Sequence, residues 1–230
     1  MNKKIASQIL SIIDHTNQKW QLINPTEPVI FAISGGKDSL SLLTILHNYF
    51  TNFKAVHIAI APNSDLSFIP YVEQFTKLEV VDTNIMQEAK ASKKNACFIC
   101  SRRRNQAIFE YAYAQGIKKV IFAHNRDDVI ETLLMNMLYS RKISTMLPKQ
   151  ALFGGKIEVV RPMYQVPEIL LFNYAKQLPV IDKSCDYDGN TKREYVKDLI
   201  KLIAKKHPNI NINDNLYNAI LNVDLEHLPK

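Results

Sequence analysis

The sequence predicts an α/β fold, a doubly wound parallel sheet with an N-terminal helix and a C-terminal helical extension. Short apolar runs alternate with segments of helical periodicity through most of the chain, and parallel neighbours need crossover connections of that kind. A Ser-Gly-Gly-Lys-Asp-Ser turn at 34–39 joins one apolar run to a helical segment. Polar residues also mark two further strand ends, after Ile60 and at His124 to Asp128. Sheets of this class bind ligands beyond the carboxyl ends of their strands, so these three places are expected to converge on one crevice.

The elements follow in order. Ile5, Ile9, Leu10, Ile13 and Trp20 recur at helical spacing over residues 3–22, and "NPTEP" breaks that helix. Strands are expected at "PVIFAI", "KAVHIAI", "EVVDT", "KKVIFAH" and "IEVVRPM". Helices are expected from Lys37 to about Phe50, around "FIPYVEQFTKL", from near Cys100, and from Asp127 to Tyr139. After Pro162 the pattern turns helical, with "PEILLFNYAKQL", "TKREYVKDLIKLIAKKH" and "DNLYNAILNV" separated by Pro- and Asn-containing turns. The expected organisation is therefore a helix at 1–24, a nucleotide-binding domain at 25–165, and a helical extension at 166–230 that carries Cys185.

The chain has 230 residues, 47% of them hydrophobic and 22% charged, with a formal charge of +7. That surplus favours a polyanionic partner such as nucleic acid or nucleotide phosphate. The basic start "MNKKIASQILSII" has its apolar run broken by Ser7 and Gln8, so it reads as an amphipathic helix and not as a signal peptide. No stretch reaches transmembrane length. Three cysteines, an odd number, argue against a secreted disulfide framework and for the cytoplasm.

In the turn at 34–39, glycines let main-chain N–H groups point into an anion, and the start of the following helix adds partial positive charge. The spacing is not that of a Walker motif. Ser34-Gly35-Gly36-Lys37-Asp38-Ser39 instead resembles the PP-loop, the signature of the ATP pyrophosphatase superfamily, whose members cleave ATP between its α and β phosphates.

"CFICSRRR" sets Cys97 and Cys100 as a Cys-x-x-Cys pair, and Cys185 stands alone. By itself the pair fits a redox site, half of a zinc site or part of an iron–sulfur cluster. Around it lie Ser101-Arg102, then His124-Asn125-Arg126-Asp127-Asp128, Pro148-Lys149, Arg161-Pro162, Arg193 beyond Cys185, and the tail "NVDLEHL". In this order they resemble the tRNA 2-thiocytidine synthetases, with Ala123 where that family usually has glycine.

The resemblance implies an ATP-dependent tRNA sulfurtransferase that adenylates a pyrimidine O2 and replaces it by sulfur, at cytidine 32. It implies that Ser34, Gly35, Gly36, Asp38 and Ser39 hold the β and γ phosphates, with Lys37 offsetting their charge and His124 at the next strand end. Asp128, or Asp127, would bind Mg²⁺ or assist proton transfer at the base. Cys97, Cys100 and Cys185 would hold a [4Fe–4S] cluster, zinc being the alternative metal. Arg102, Arg103 and Arg104 would meet tRNA phosphates or the adenylate, a solvated basic face being the preferred reading for Arg103. Arg193 would meet RNA, and His57 reads as a packing residue. A sulfur donor such as a cysteine desulfurase, and a homodimer, complete the expectations. Two other readings compete: a PP-loop enzyme of another type, such as a tRNA-uridine thiolase or a lysidine or amide ligase, and a metal-stabilised RNA-binding module without ATP turnover.

Overall fold

A computed structural model of the chain describes residues 3–92, 95–181 and 191–227. It divides into two units, Met1–Asn125 with Leu147–Tyr187, and Arg126–Met146 with Asp188–Lys230.

The first unit holds a six-stranded sheet. In chain order its strands are β1 (Val29–Ala32), β2 (Phe53–Ala59), β3 (Leu78–Asp82), β4 (Lys119–Ile121), β5 (Lys149–Leu152) and β6 (Ile157–Val160), arranged β3-β2-β1-β4-β6-β5. All neighbours are parallel except β5, which pairs antiparallel with β6. The inner strands are buried on both faces, as a parallel sheet requires. Val29 and Phe31 join one core with Ile121 and Val160, while Ile30 joins the other with Val56, Val120 and Val159.

The first core is covered by α1 (Lys3–Trp20), α2 (Lys37–Leu46) and α7 (Glu168–Ala175), through Ile9, Ile13, Leu40, Leu43, Leu171 and Tyr174, all fully buried. Side chains of this size stabilise the fold by about 1.5–3 kcal/mol each on full burial. The second core is covered by α5 (Ala96–Ala114) through Ile108 and Ala112. Two short helices, α3 (Ile69–Val72) and α4 (Ile85–Ala91), complete this unit.

The strands lie where apolar runs predict them, with two additions and one contraction. β5 is an edge strand whose residues alternate between exposed and half-buried, so "KQAL" carries no strong apolar signal. α4 precedes α5, and α5 begins at Ala96, where the Asn95 side chain accepts a hydrogen bond from the Phe98 N–H at 3.1 Å. The helix expected over "FIPYVEQFTKL" is only the four residues of α3.

The second unit contains α6 (Arg126–Ser140), α8 (Lys192–Lys206) and α9 (Ile212–Leu221). α8 opens on a capping box: Thr191 Oγ1 accepts from the Glu194 N–H at 3.2 Å, and Glu194 Oε2 accepts from the Thr191 N–H at 2.8 Å. Among the described residues no helix is long and apolar enough to cross a membrane.

Candidate functional site

The Ser34–Ser39 turn leaves the carboxyl end of β1 and enters α2. Its two serines fix its shape. The Ser34 N–H donates to Ser39 Oγ at 3.1 Å, the two hydroxyls lie 3.1 Å apart, and Ser39 Oγ donates to the Gly36 carbonyl at 3.0 Å. Gly35 adopts φ +77°, and a Cβ there would stand 2.7–2.8 Å from Ile181 and the Phe68 ring. Only glycine satisfies both the left-handed backbone and the missing space.

Lys37 begins α2 and donates to Glu168 Oε1 at 2.7 Å and to Asp38 Oδ2 at 3.1 Å. Burial pulls its pKa down, but neighbouring Asp38 and the hydrogen-bonded Glu168 more than offset this and hold it above the usual lysine value. The ammonium is therefore charged throughout the physiological range. Glu168, at the start of α7 and 131 residues downstream, carries no mark in the sequence beyond an acid favoured at a helix start.

Next to β1 in the sheet, β4 ends three residues before His124, whose ring stacks on Phe122 with centroids 5.6 Å apart. Asn125, after it, is buried. The PP-loop residues and His124 thus emerge from the carboxyl ends of adjacent parallel strands. His57 is a buried β2 residue, with Nδ1 2.8 Å from the Ile33 carbonyl and its ring edge-on to Phe68.

Cys97 and Cys100 both fall in the first turn and a half of α5, three residues apart and hence on one side of the helix. Both are half-buried, and Cys100 packs against the second core. Because the C-terminal end of α5 feeds the amino end of β4, its N-terminal turn lies toward the carboxyl ends of the strands. A side-by-side pair of thiols is a suitable donor set for a soft metal centre. Cys185 lies outside the described residues. Arg102 and Arg103 are exposed and Arg104 half-buried. Arg103 pairs with Glu88 at 3.0 Å and donates to Gln106 at 3.1 Å.

In the second unit, Asp127 and Asp128 occupy the first turn of α6, and each is held by another helix. Asn213 of α9 donates to Asp127 Oδ1 at 2.6 Å, and Arg193 of α8 donates to Asp128 Oδ1 at 2.6 Å. Arg193 also lies 3.4 Å from the buried Glu131, which Lys197 approaches at 3.4 Å. Arg126 pairs with Asp214. Asn213, Glu131 and Asp214 were not legible as site residues, because polar residues on helices ordinarily face solvent and nothing local marks their partners.

Comparison with known proteins gives these features a lineage. Residues 1–203 match the PP-loop domain family. A tRNA-cytidine(32) 2-sulfurtransferase of Coxiella burnetii is 32% identical over 241 residues, covering 96% of this chain and 91% of that protein. One from Methylobacillus flagellatus is 30% identical over 240 residues, covering 98% and 78%. Tertiary structure agrees with the fold. The U34-tRNA thiolase NcsA of Methanococcus maripaludis, solved with its [4Fe-4S] cluster, matches all of this chain and 82% of its own at a TM-score of 0.76 and 19% identity. An NH3-dependent NAD synthetase from Campylobacter jejuni shares the fold more distantly, at a TM-score of 0.52. The chain belongs to the PP-loop domain family and, within it, to the tRNA-cytidine(32) 2-sulfurtransferases.

Proposed function

We propose that this chain uses ATP to replace the C2 oxygen of cytidine 32 in tRNA by sulfur. The observation that carries the reading is the union, in one unit, of an intact Ser34–Ser39 turn at the end of β1 with a cysteine pair on the first turn and a half of α5.

The chemistry sets what the residues must do. Oxide is a poor leaving group, so the base O2 first attacks the α-phosphorus of ATP and the bond to the β-phosphate oxygen breaks, releasing pyrophosphate. Sulfide then forms a bond to C2, and the C2–O bond breaks with departure of AMP. The N–H groups around Gly35 and Gly36 hold the pyrophosphate portion, and the charged Lys37 offsets the negative charge it develops. On binding ATP, phosphate oxygens compete with Glu168 and Asp38 for the ammonium. Gly35, packed against Phe68 and Ile181, keeps main-chain N–H groups of the turn able to donate to phosphate oxygens. His124 stands at the adjacent strand end and orients the nucleotide. Asp128, or Asp127, assists proton movement at the base or binds Mg²⁺. Arg104 offsets adenylate charge, and Arg102, Arg103 and Arg193 meet RNA.

Cys97, Cys100 and Cys185 would hold a [4Fe–4S] cluster, which would supply sulfur at the sulfide level to the activated base. A persulfide donor such as a cysteine desulfurase, with a thiol reductant supplying two electrons, would provide that sulfide. Nucleoside analysis of tRNA from cells with and without this protein tests the reading. We expect 2-thiocytidine to be present only with the protein; equal amounts in both would overturn it.

A further inference from the structure

We propose that the open groove between α5 and the β5–β6 turn is a stacking site for unpaired bases of the substrate RNA. This inference rests on the tRNA-modifying function proposed above. The groove encloses about 780 Å³. Phe98 and Tyr113 line it from α5, and Phe153 from the turn; each of the three exposes more than half of its surface. Arg102 and Lys156 supply two cations, and Lys156 Nζ sits 5.6 Å from the centroid of the Tyr113 ring.

The pattern favours RNA over a protein partner. Ser101, Asn105 and Gln106 lie among the rings, so the groove sets hydrogen-bonding groups beside its aromatic faces, as base recognition requires. Aromatic faces beside two cations, against the single lining acid Glu110, suit successive bases and their phosphates, and the chain's +7 charge points the same way. Phe98 also lies between Cys97 and Cys100, so bases stacked in the groove run beside two of the proposed metal ligands.

Phe153 adds a second, independent sign. It adopts φ +52°, followed by Gly154 at +65° and Gly155 at +85°. A bulky side chain in left-handed backbone is strained, and a third glycine at this position would remove that strain. The fold instead retains an exposed ring there, braced edge-on by Phe109 at 6.1 Å. The ring is thus held out on the groove wall at a cost in backbone strain, presenting a face to whatever enters the groove.

Phe153→Gly separates these effects. In the full chain we expect its thermal midpoint to hold or rise, while affinity for an unmodified tRNA transcript falls by roughly five- to a hundred-fold, the range for loss of one base–aromatic stack. Tyr113→Ala should weaken tRNA similarly, and Lys156→Gln should reduce the salt slope of binding by about one. Unchanged tRNA affinity and salt slope in all three variants, with or without lost capture of a protein sulfur donor, would overturn the groove assignment and leave the proposed activity standing. A wild-type chain that binds no tRNA would overturn both.

Discussion

At the scale of single residues, Gly35 and Lys37 decide whether the turn at 34–39 can work. Gly35→Ala must place a methyl group 2.7–2.8 Å from Phe68 and Ile181 while holding φ near +77°. We expect a loss of about 2–4 kcal/mol, read as a lower urea midpoint, together with loss of ATP binding. Lys37→Met would leave Asp38 and Glu168 facing the same pocket without their shared cation, so ATP affinity measured by calorimetry should fall at least about tenfold. Tyr174 bears on pH. Its side chain is fully buried, and burial pushes its hydroxyl up to about 12. The raised value favours the neutral form, so its share of stability is intact below the ordinary tyrosine value near 10 and is lost as pH climbs toward 12. Unfolding measured from pH 9 to 11.5 should show a steeper decline in the wild type than in Tyr174→Phe.

At the scale of elements, the helices of the second unit are tied by charge. Arg193 of α8 reaches Asp128 and the buried Glu131 of α6, with Lys197 as the second cation on Glu131. Arg193→Ala removes a cation from Asp128 and leaves the buried Glu131 to Lys197, and should lower stability by about 1–3 kcal/mol in chemical denaturation. Arg193→Lys restores charge without the planar fork and should recover part of it. These ties also mark the limit of what the sequence discloses. The strands β1, β2 and β4 are apolar runs bounded by turns, and the Ser34–Ser39 turn between strand and helix is recognisable from residue types alone. β5 was not, since an edge strand with one exposed and one half-buried face needs no strong apolar signal. Nor was the start of α5 at Ala96, set by an asparagine cap before a cysteine pair of low helix propensity. Glu168 and Asn213 became visible only when the chain folded, because they meet Lys37 and Asp127 from 131 and 86 residues away.

At the scale of the whole molecule, a basic chain carries a nucleotide turn, a cysteine pair and an aromatic groove within one unit. With +7 formal charge, and if Arg102, Arg103 and Arg193 meet phosphates as proposed, tRNA affinity should drop more than about tenfold between roughly 50 and 200 mM salt. A filter-binding titration across that range checks it, and a flat response would argue against an extended RNA surface. In the proposed reaction, ATP cleavage and sulfur delivery meet at one base. Anaerobically reconstituted protein should be incubated with unmodified tRNA, ATP and sulfide, and the RNA digested and analysed for 2-thiocytidine. The account predicts one thiolated base per pyrophosphate released, and none with Cys97→Ser. Pyrophosphate release without a thionucleoside, or undiminished thiolation by Cys97→Ser, would contradict it.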